Sequence, residues 1–391
     1  MSETVKMAVI GIGVMGKAHL KDIMALETTE LVAVCDIDRA KADQAAAEYN
    51  VPAYYDYQDL LKHTSLDAVL VSTPHYDHTP ISIDAMQQGI HVLVEKPIAV
   101  HVKDARKMIA AYEESKKTHP NIVFAAMFMQ RTYGHWHTIK DMIVSGQLGK
   151  LVRTTWLITD WFRTQSYYDN GGWRATWKGE GGGVLLNQCP HNIDLYQWFV
   201  GMPKRVTGFA TLGKYHHIEV EDEVTAYFEH ENGMVGHFIT STGESPGTNR
   251  LEIVGELGKL VYEAQKLTFY RNQRSMFDQI ADASGGFDRV EYEVVEVEYE
   301  HHGQPGHKFV IENFANAILH GETLIAPAGE GLNSVMLANA IMMSSFEGKS
   351  IDLPLDADAY ERKLLSLIES STFTKAAPKH IPSDSDLSKS F

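Results

Sequence analysis

Cysteine is nearly absent from this sequence of 391 residues, which holds only Cys35 and Cys189. Two thiols so far apart define no disulfide framework, and a chain of this length buries enough apolar surface to need none. Cys35 lies in an apolar strand-like run and reads as a buried free thiol. Basic charge is also in deficit: 51 acidic residues stand against 35 basic ones, a formal net charge of −16. That is not the basic footprint that nucleic acid or an anionic membrane surface requires, and it favours small or neutral ligands. Long apolar runs are missing, since none approaches the roughly 18 residues of a membrane span. The first apolar run, after Lys6, is broken by glycines and makes a poor signal peptide. A reduced, cytoplasmic setting is therefore expected. Metal-ligand spacings are missing too. His75/His78, His135/His137, His216/His217 and His301/His302 have no accompanying cysteine or carboxylate pattern, so no metal is expected.

What is present is regular. The hydrophobic fraction of 44% and charged fraction of 22% are those of a globular protein. At roughly 150 residues per domain, two or three domains fit the length. Over the first 130 or so residues, strand-like and helix-like runs alternate. Val5 to Ile10, Leu31 to Cys35, Ala68 to Ser72, His91 to Val94 and Ile122 to Met127 are short and continuously apolar. Between them, Lys17 to Leu26, Arg39 to Tyr49, Pro80 to Gln88 and Lys103 to Lys116 have helical patterning. This predicts a parallel sheet covered by helices on both faces.

The sharpest chemical feature is Gly11-Ile12-Gly13-Val14-Met15-Gly16. It follows a strand and opens a helix, and Asp36 ends the next strand about 20 residues further on, the full context of a dinucleotide site. Gly11 permits the tight turn, Gly13 lets backbone approach a pyrophosphate, and Gly16 allows close helix packing. Phosphate charge is then met by N–H groups at the helix start, so the global acidity is no obstacle. Asp36 would accept hydrogen bonds from ribose hydroxyls and repel a 2′-phosphate, which favours NAD over NADP. Ile37 and Arg39 complete the adenosine end, and Arg39 leaves a 2′-phosphate partner available.

Three features together, this loop, Glu95-Lys96-Pro97 after the strand His91 to Val94, and Gly181-Gly182-Gly183 ahead of His191, resemble the Gfo/Idh/MocA oxidoreductases, the glucose-fructose oxidoreductase and inositol dehydrogenase family. The resemblance covers about residues 5 to 355. It implies an α/β chain with an N-terminal doubly wound Rossmann domain, residues 1–128. A C-terminal α/β domain with a large, open, mostly antiparallel sheet follows at 129–373, and a loosely held tail at 374–391. Alternating stretches from Leu151 to Arg271, parted by turn signals such as Glu231-Asn232-Gly233, suit that sheet. Family members generally cover it by forming a homodimer or homotetramer.

The resemblance also implies roles. Lys96 stands beside the nicotinamide and would stabilise a developing alkoxide. His191 would be the general base, with an ordinary pKa suited to neutral pH. Many relatives carry Asp where this chain has Asn187. Asparagine takes no proton, so Asn187 is left to position substrate hydroxyls, one helical turn from His191 if the segment is helical. Thr73, Pro74, His75, His78, Glu95 and Gln130 lie where relatives approach the cofactor. Arg163, Trp173 and Arg174 belong to an aromatic and arginine-rich stretch suited to a sugar ring, and Arg131, just after the strand Ile122 to Met127, is counted with them as substrate-binding. The activity expected is NAD-dependent hydride transfer at a secondary hydroxyl of a sugar, cyclitol or glycoside. Two other outcomes are open: glycoside 3-oxidation that initiates cleavage, and an inactive NAD-binding sensor.

Overall fold

The computed structural model describes residues 4–63, 65–301 and 303–375. His302 and the tail from residue 376 onward, both named above, lie outside them.

The first part alternates β1 (Val5–Ile10), α1 (Val14–Met24), β2 (Thr29–Cys35), α2 (Arg39–Tyr49), β3 (Ala53–Tyr54), α3 (Tyr57–Leu60), β4 (Ala68–Val71), α4 (His75–Gln87), β5 (His91–Val94), α5 (Val102–Ser115) and β6 (Phe124–Ala126). The six strands form one parallel sheet in the order β3-β2-β1-β4-β5-β6. Every residue of β4 is buried, which explains its unbroken apolar sequence. Strand order reverses between β1 and β4. A sheet of this kind binds ligands in the crevice outside its carboxyl ends at that reversal. The glycine loop, Thr73 and Lys96 all follow carboxyl ends there.

One helix departs from the sequence pattern. A proline favours the first position of a helix, so Pro80 was expected near a start. Instead α4 begins at His75 and carries Pro80 inside. The helix gives up a backbone bond there and gains a first turn that places His78 against Pro97 O.

The second part contains α6 (Gly134–Val144), β7 (Leu151–Ile158), α7 (Gln165–Asp169), α8 (Pro190–Val200), β8 (Arg205–Leu212), β9 (Glu221–Glu229), β10 (Val235–Ser241), β11 (Asn249–Gly255), β12 (Gly258–Glu263), β13 (Lys266–Asn272), α9 (Met276–Asp282) and β14 (Tyr292–Glu296). It ends with α10 (His307–His320), α11 (Gly331–Glu347), β15 (Ile351–Asp352) and α12 (Ala357–Ser370). Its nine strands run β14-β13-β12-β11-β7-β10-β9-β8-β15, antiparallel except where β7 meets β10. The pleat sorts side chains by face. The row Ala226, Phe238, Trp156, Leu251 and Tyr262 is buried. The opposite row runs through Phe209, Thr225, Ile239, Leu157 and Arg250 and stays accessible, with Phe209 exposed.

The two sheets are not packed independently. Val310, Ile311, Phe314 and Ala315 of α10 join the core of the first sheet, with Val9, Leu20 and Leu93. On α11, the buried Asn339 accepts from Val102 N at 3.1 Å and donates to Val100 O at 3.2 Å. The last third of the chain therefore braces the turn that carries Lys96.

Candidate active site

At the start of α1 the glycines are used in three different ways. Gly11 has φ +94°, and a Cβ there would meet Ser72 O at 2.6 Å. A Cβ on Gly16 would meet Gly11 O at 1.9 Å. Gly13 is exposed, with nothing within 4 Å of a Cβ position. The first two are required by the protein's own packing, and the third keeps the approach to the helix N-terminus open. Asp36 anchors this loop: it accepts from Ile12 N at 2.7 Å and from Asp38 N at 2.8 Å. A carboxylate has about four acceptor positions, so ribose hydroxyls remain within its capacity. Val14 and Ile37 expose apolar side chains beside it, Ile37 at 91%. Met15 is half-buried. Arg39 lies over the Tyr55 ring at 4.1 Å. After β4, the hydroxyl of Thr73 is buried without a partner among the described residues, and Pro74 caps α4. An open helix start, a loop-bound carboxylate and an orphaned hydroxyl across the strand reversal fit a dinucleotide.

The turn after β5 is held from below. Glu95 is buried and takes His19 Nε2 at 2.6 Å and Lys96 N at 3.0 Å. Burial alone would raise its carboxyl. The hydrogen bond and charge of His19, with His307 and Lys96 nearby, instead hold it well below the usual range. Glu95 thus fixes α1 to the turn, and the Lys96–Pro97 peptide is cis. His78 faces Pro97 O at 2.8 Å and Thr73 O at 2.9 Å, so it braces both cofactor-side loops. His75 is buried, faces Glu180 O at 3.2 Å, and meets the Trp173 ring edge-on at 5.2 Å.

Lys96 reaches across to the second part and donates to Asn187 O at 2.8 Å. Burial lowers its pKa, with Arg174 and Arg163 adding to the effect while Glu95 and Glu180 oppose it. His191 is buried, and both ring nitrogens are unpartnered among the described residues. Burial pushes it well below its ordinary value, with Lys96 and His307 adding to that, so the imidazole is neutral but a weaker base than the ordinary pKa expected from the sequence. Asn187 and His191 do not share a helix. The glycine-rich segment runs as successive turns, and α8 starts at Pro190 in its first position. Proline there terminates the approach and starts the helix.

The aromatic stretch converges on Tyr167. Arg174 donates to its hydroxyl at 2.6 Å and lies over its ring at 4.7 Å, while Arg163 lies over the ring at 5.3 Å. Trp173 sits under Arg174 at 4.9 Å. Tyr167 OH in turn donates to Asn187 Oδ1 at 3.1 Å. The C-terminal segment also arrives here: Lys375 Nζ donates to the carbonyls of Gly171 and Arg174. Lys375, counted with the loose tail, is therefore docked.

Two residues expected at the site are engaged in bonds within the protein. Arg131 is 1% exposed and forms a two-pronged pair with Asp194 at 2.6 and 2.7 Å, plus a bond to Glu330. With a further bond to Ile325 O, four of its five N–H donors are taken up by the protein. Gln130 uses its Oε1 to hold Trp136 Nε1 at 2.9 Å. Two residues not singled out belong to the site. Tyr167 joins the arginines to Asn187, and Glu180 is a buried carboxylate touching Asn187 Nδ2 and Ala175 N. The lost acid at position 187 was the available signal for the second: a missing carboxylate invites a search for another close in sequence.

Among the described residues, no group of three or more His, Cys, Asp or Glu is placed to hold a metal ion. Nor is any helix there long and apolar enough to cross a membrane.

The fold and the lysine-bearing turn define a Rossmann-type nicotinamide oxidoreductase with an appended sheet domain. Comparison with known proteins agrees. Residues 5–121 match the oxidoreductase family profile described as an NAD-binding Rossmann fold, and residues 136–261 match the Gfo/Idh/MocA C-terminal domain. The chain is similar to the scyllo-inositol 2-dehydrogenase (NAD(+)) of Bacillus subtilis strain 168, 26% identical over 72% of this chain and 81% of that protein. It is 26% identical to an inositol 2-dehydrogenase of Rubrobacter xylanophilus over 89% and 92%. A WlbA dehydrogenase of Chromobacterium violaceum, solved with NADH and UDP-GlcNAcA, superposes with a TM-score of 0.78 at 26% identity, covering 91% of this chain and 98% of that one. The chain belongs to the Gfo/Idh/MocA oxidoreductases, and its first domain is an NAD-binding Rossmann domain.

Proposed function

We propose that this oxidoreductase transfers hydride at a secondary hydroxyl of a sugar, cyclitol or glycoside. The observation carrying this is the pairing of Lys96, held by Asn187 O, with a buried His191 whose ring nitrogens have no protein partner among the described residues. When bound, NAD accepts the hydride at its nicotinamide C4. Lys96 donates to the substrate oxygen and stabilises the charge that develops as the hydroxyl proton leaves. His191 takes that proton, being neutral and so free to accept it. Asn187, Arg163, Trp173 and Arg174 orient the ring, through hydrogen bonds at the polar groups and contact at the apolar face. Gly11 to Gly16, Asp36, Ile37, Arg39, Thr73, His75 and His78 form the cofactor side. Two buried free thiols support a reducing, cytoplasmic setting. The accessible row through Phe209, Ile239 and Leu157 supports a homodimer or homotetramer formed on the second sheet.

The test is a dehydrogenase screen with myo-inositol, scyllo-inositol, glucose, levoglucosan and methyl glucosides, NAD and NADP side by side. Turnover with NAD that is lost in Lys96→Ala and His191→Ala, with NADH binding kept, supports the reading. Full turnover in either variant overturns the assigned roles.

A further inference from the structure

We propose that Glu180 is a positioning residue of this site, setting the direction of the hydrogen bonds that orient Asn187, Tyr167 and Arg174. The proposal rests on the dehydrogenase reading and adds to it a residue that this reading does not use.

Glu180 is 1% exposed. One carboxylate oxygen accepts from Ala175 N at 2.5 Å, and the other accepts from Asn187 Nδ2. Burial raises the pKa of Glu180, while Arg174 and the hydrogen bonds from Ala175 and Asn187 oppose that; in its ionised form the carboxylate only accepts, so it selects one of the two orientations of the Asn187 amide. The other end of that amide agrees. Asn187 Oδ1 faces two donors, Tyr167 OH at 3.1 Å and Gln188 Nε2 at 3.2 Å. Turned over, the amide would set oxygen against carboxylate and nitrogen against nitrogen. With Asn187 accepting, the Tyr167 hydroxyl must donate to it. Its lone pairs are then left for Arg174, which donates to it at 2.6 Å, and for Gln188 Nε2 at 3.2 Å. One carboxylate thereby fixes the sense of every bond out to Arg174. The same Asn187 holds Lys96 through its main-chain oxygen, so the ordered chain ends at the proposed reacting group. The acid absent at position 187 is thus supplied one amide further back.

The geometry dictates the test. In Glu180→Gln, the new side chain must keep its oxygen on Ala175 N and turn its nitrogen to Asn187. Asn187 must then flip, which sets Nδ2 against Gln188 Nε2 and turns the acceptor away from Tyr167. In Asn187→Asp, two carboxylates meet. The double variant Glu180→Gln/Asn187→Asp restores an acceptor at position 187, facing both the new amide nitrogen at position 180 and the Tyr167 hydroxyl. Each single change is expected to lower kcat/KM about 10- to 100-fold, mostly through KM, with NADH affinity unchanged. The double variant is expected to recover to within about 3-fold of the parent, because coupled neighbours are strongly non-additive. Losses that multiply in the double variant would overturn the proposal. The same cycle in melting temperature, measured without substrate, expects the double variant above both singles. A chain with no dehydrogenase activity therefore defeats the functional reading while this cycle still decides the role of Glu180.

Discussion

The two sides of the site are built by different means. The centre of the cofactor side is mostly backbone: three glycines and a helix start, with one carboxylate, all within residues 11–36. The substrate side is made of side chains from distant places. Lys96 follows β5, Tyr167 lies in the short α7 and Arg174 in the turns after it, His191 opens α8, and Lys375 arrives from the C-terminal segment. A backbone cradle is specified locally and tolerates change around it. A side-chain wall depends on each partner being present, and it is where family members can diverge in substrate while keeping one cofactor.

The largest expected effect is on the wall. Lys96→Ala should lower kcat by roughly 100- to 1000-fold, the scale of removing one donor to a developing oxyanion. Tryptophan-quenching titration with NADH should give an unchanged Kd. A Kd that rises with the loss of kcat would merge the two sides and break the comparison.

Arg131 and Arg174 separate structure from binding. Arg131→Ala leaves Asp194 buried and uncompensated, which should cost about 3–5 kcal/mol in urea denaturation. Arg174→Ala removes a hydrogen bond to Tyr167 and should raise KM while the denaturation midpoint stays close to the parent's. Reversed results would return Arg131 to the substrate.

Within the cradle, Gly16→Ala and Gly13→Ala should differ in kind. The first forces a Cβ into Gly11 O and should destabilise the protein by about 1–3 kcal/mol. The second meets nothing in the protein, so the melting temperature should hold while NADH affinity falls. A stability loss in Gly13→Ala would show that the open space at the helix start is not reserved for a ligand.

The smallest effect concerns Glu221, which lies outside both sides. Burial pushes its carboxyl up to about 7, despite hydrogen bonds from Gly183 N and Leu185 N at 2.8 and 3.1 Å. The folded state therefore binds its proton more tightly than the unfolded chain does. Its contribution to stability is greatest at acid pH and is lost as pH rises through about 7. Glu221→Gln should flatten that decline, changing the difference in melting temperature between pH 5 and pH 8 by about 2–4 °C.

Legibility in the sequence followed the same divide. Strands β1, β2, β4 and β5 and the glycine loop are local patterns, and they stand where the sequence placed them. The second sheet was legible from alternation, strand by strand from β7 to β13, but its order was not, because β7 pairs with β10 and β11 across long intervals. Arg131 was assigned to substrate because it follows a strand end near the site. Its real partners, Asp194 and Glu330, are remote in sequence. Glu180 stood in plain view inside the glycine-rich motif, yet its contact with Asn187 depends on turns rather than on a helix, and no periodicity announces those. The net charge of −16 is silent about the local cations around Tyr167.

The central claim is direct hydride transfer governed by Lys96 and His191. It is tested most directly with a substrate deuterated at the reacting carbon, chosen from the cyclitol and sugar screen, incubated with the parent protein and NAD. The account predicts deuterium at C4 of the nicotinamide by NMR, with the transfer rate collapsing in Lys96→Ala and His191→Ala. Tight NADH binding without label transfer from any member of the panel would contradict it.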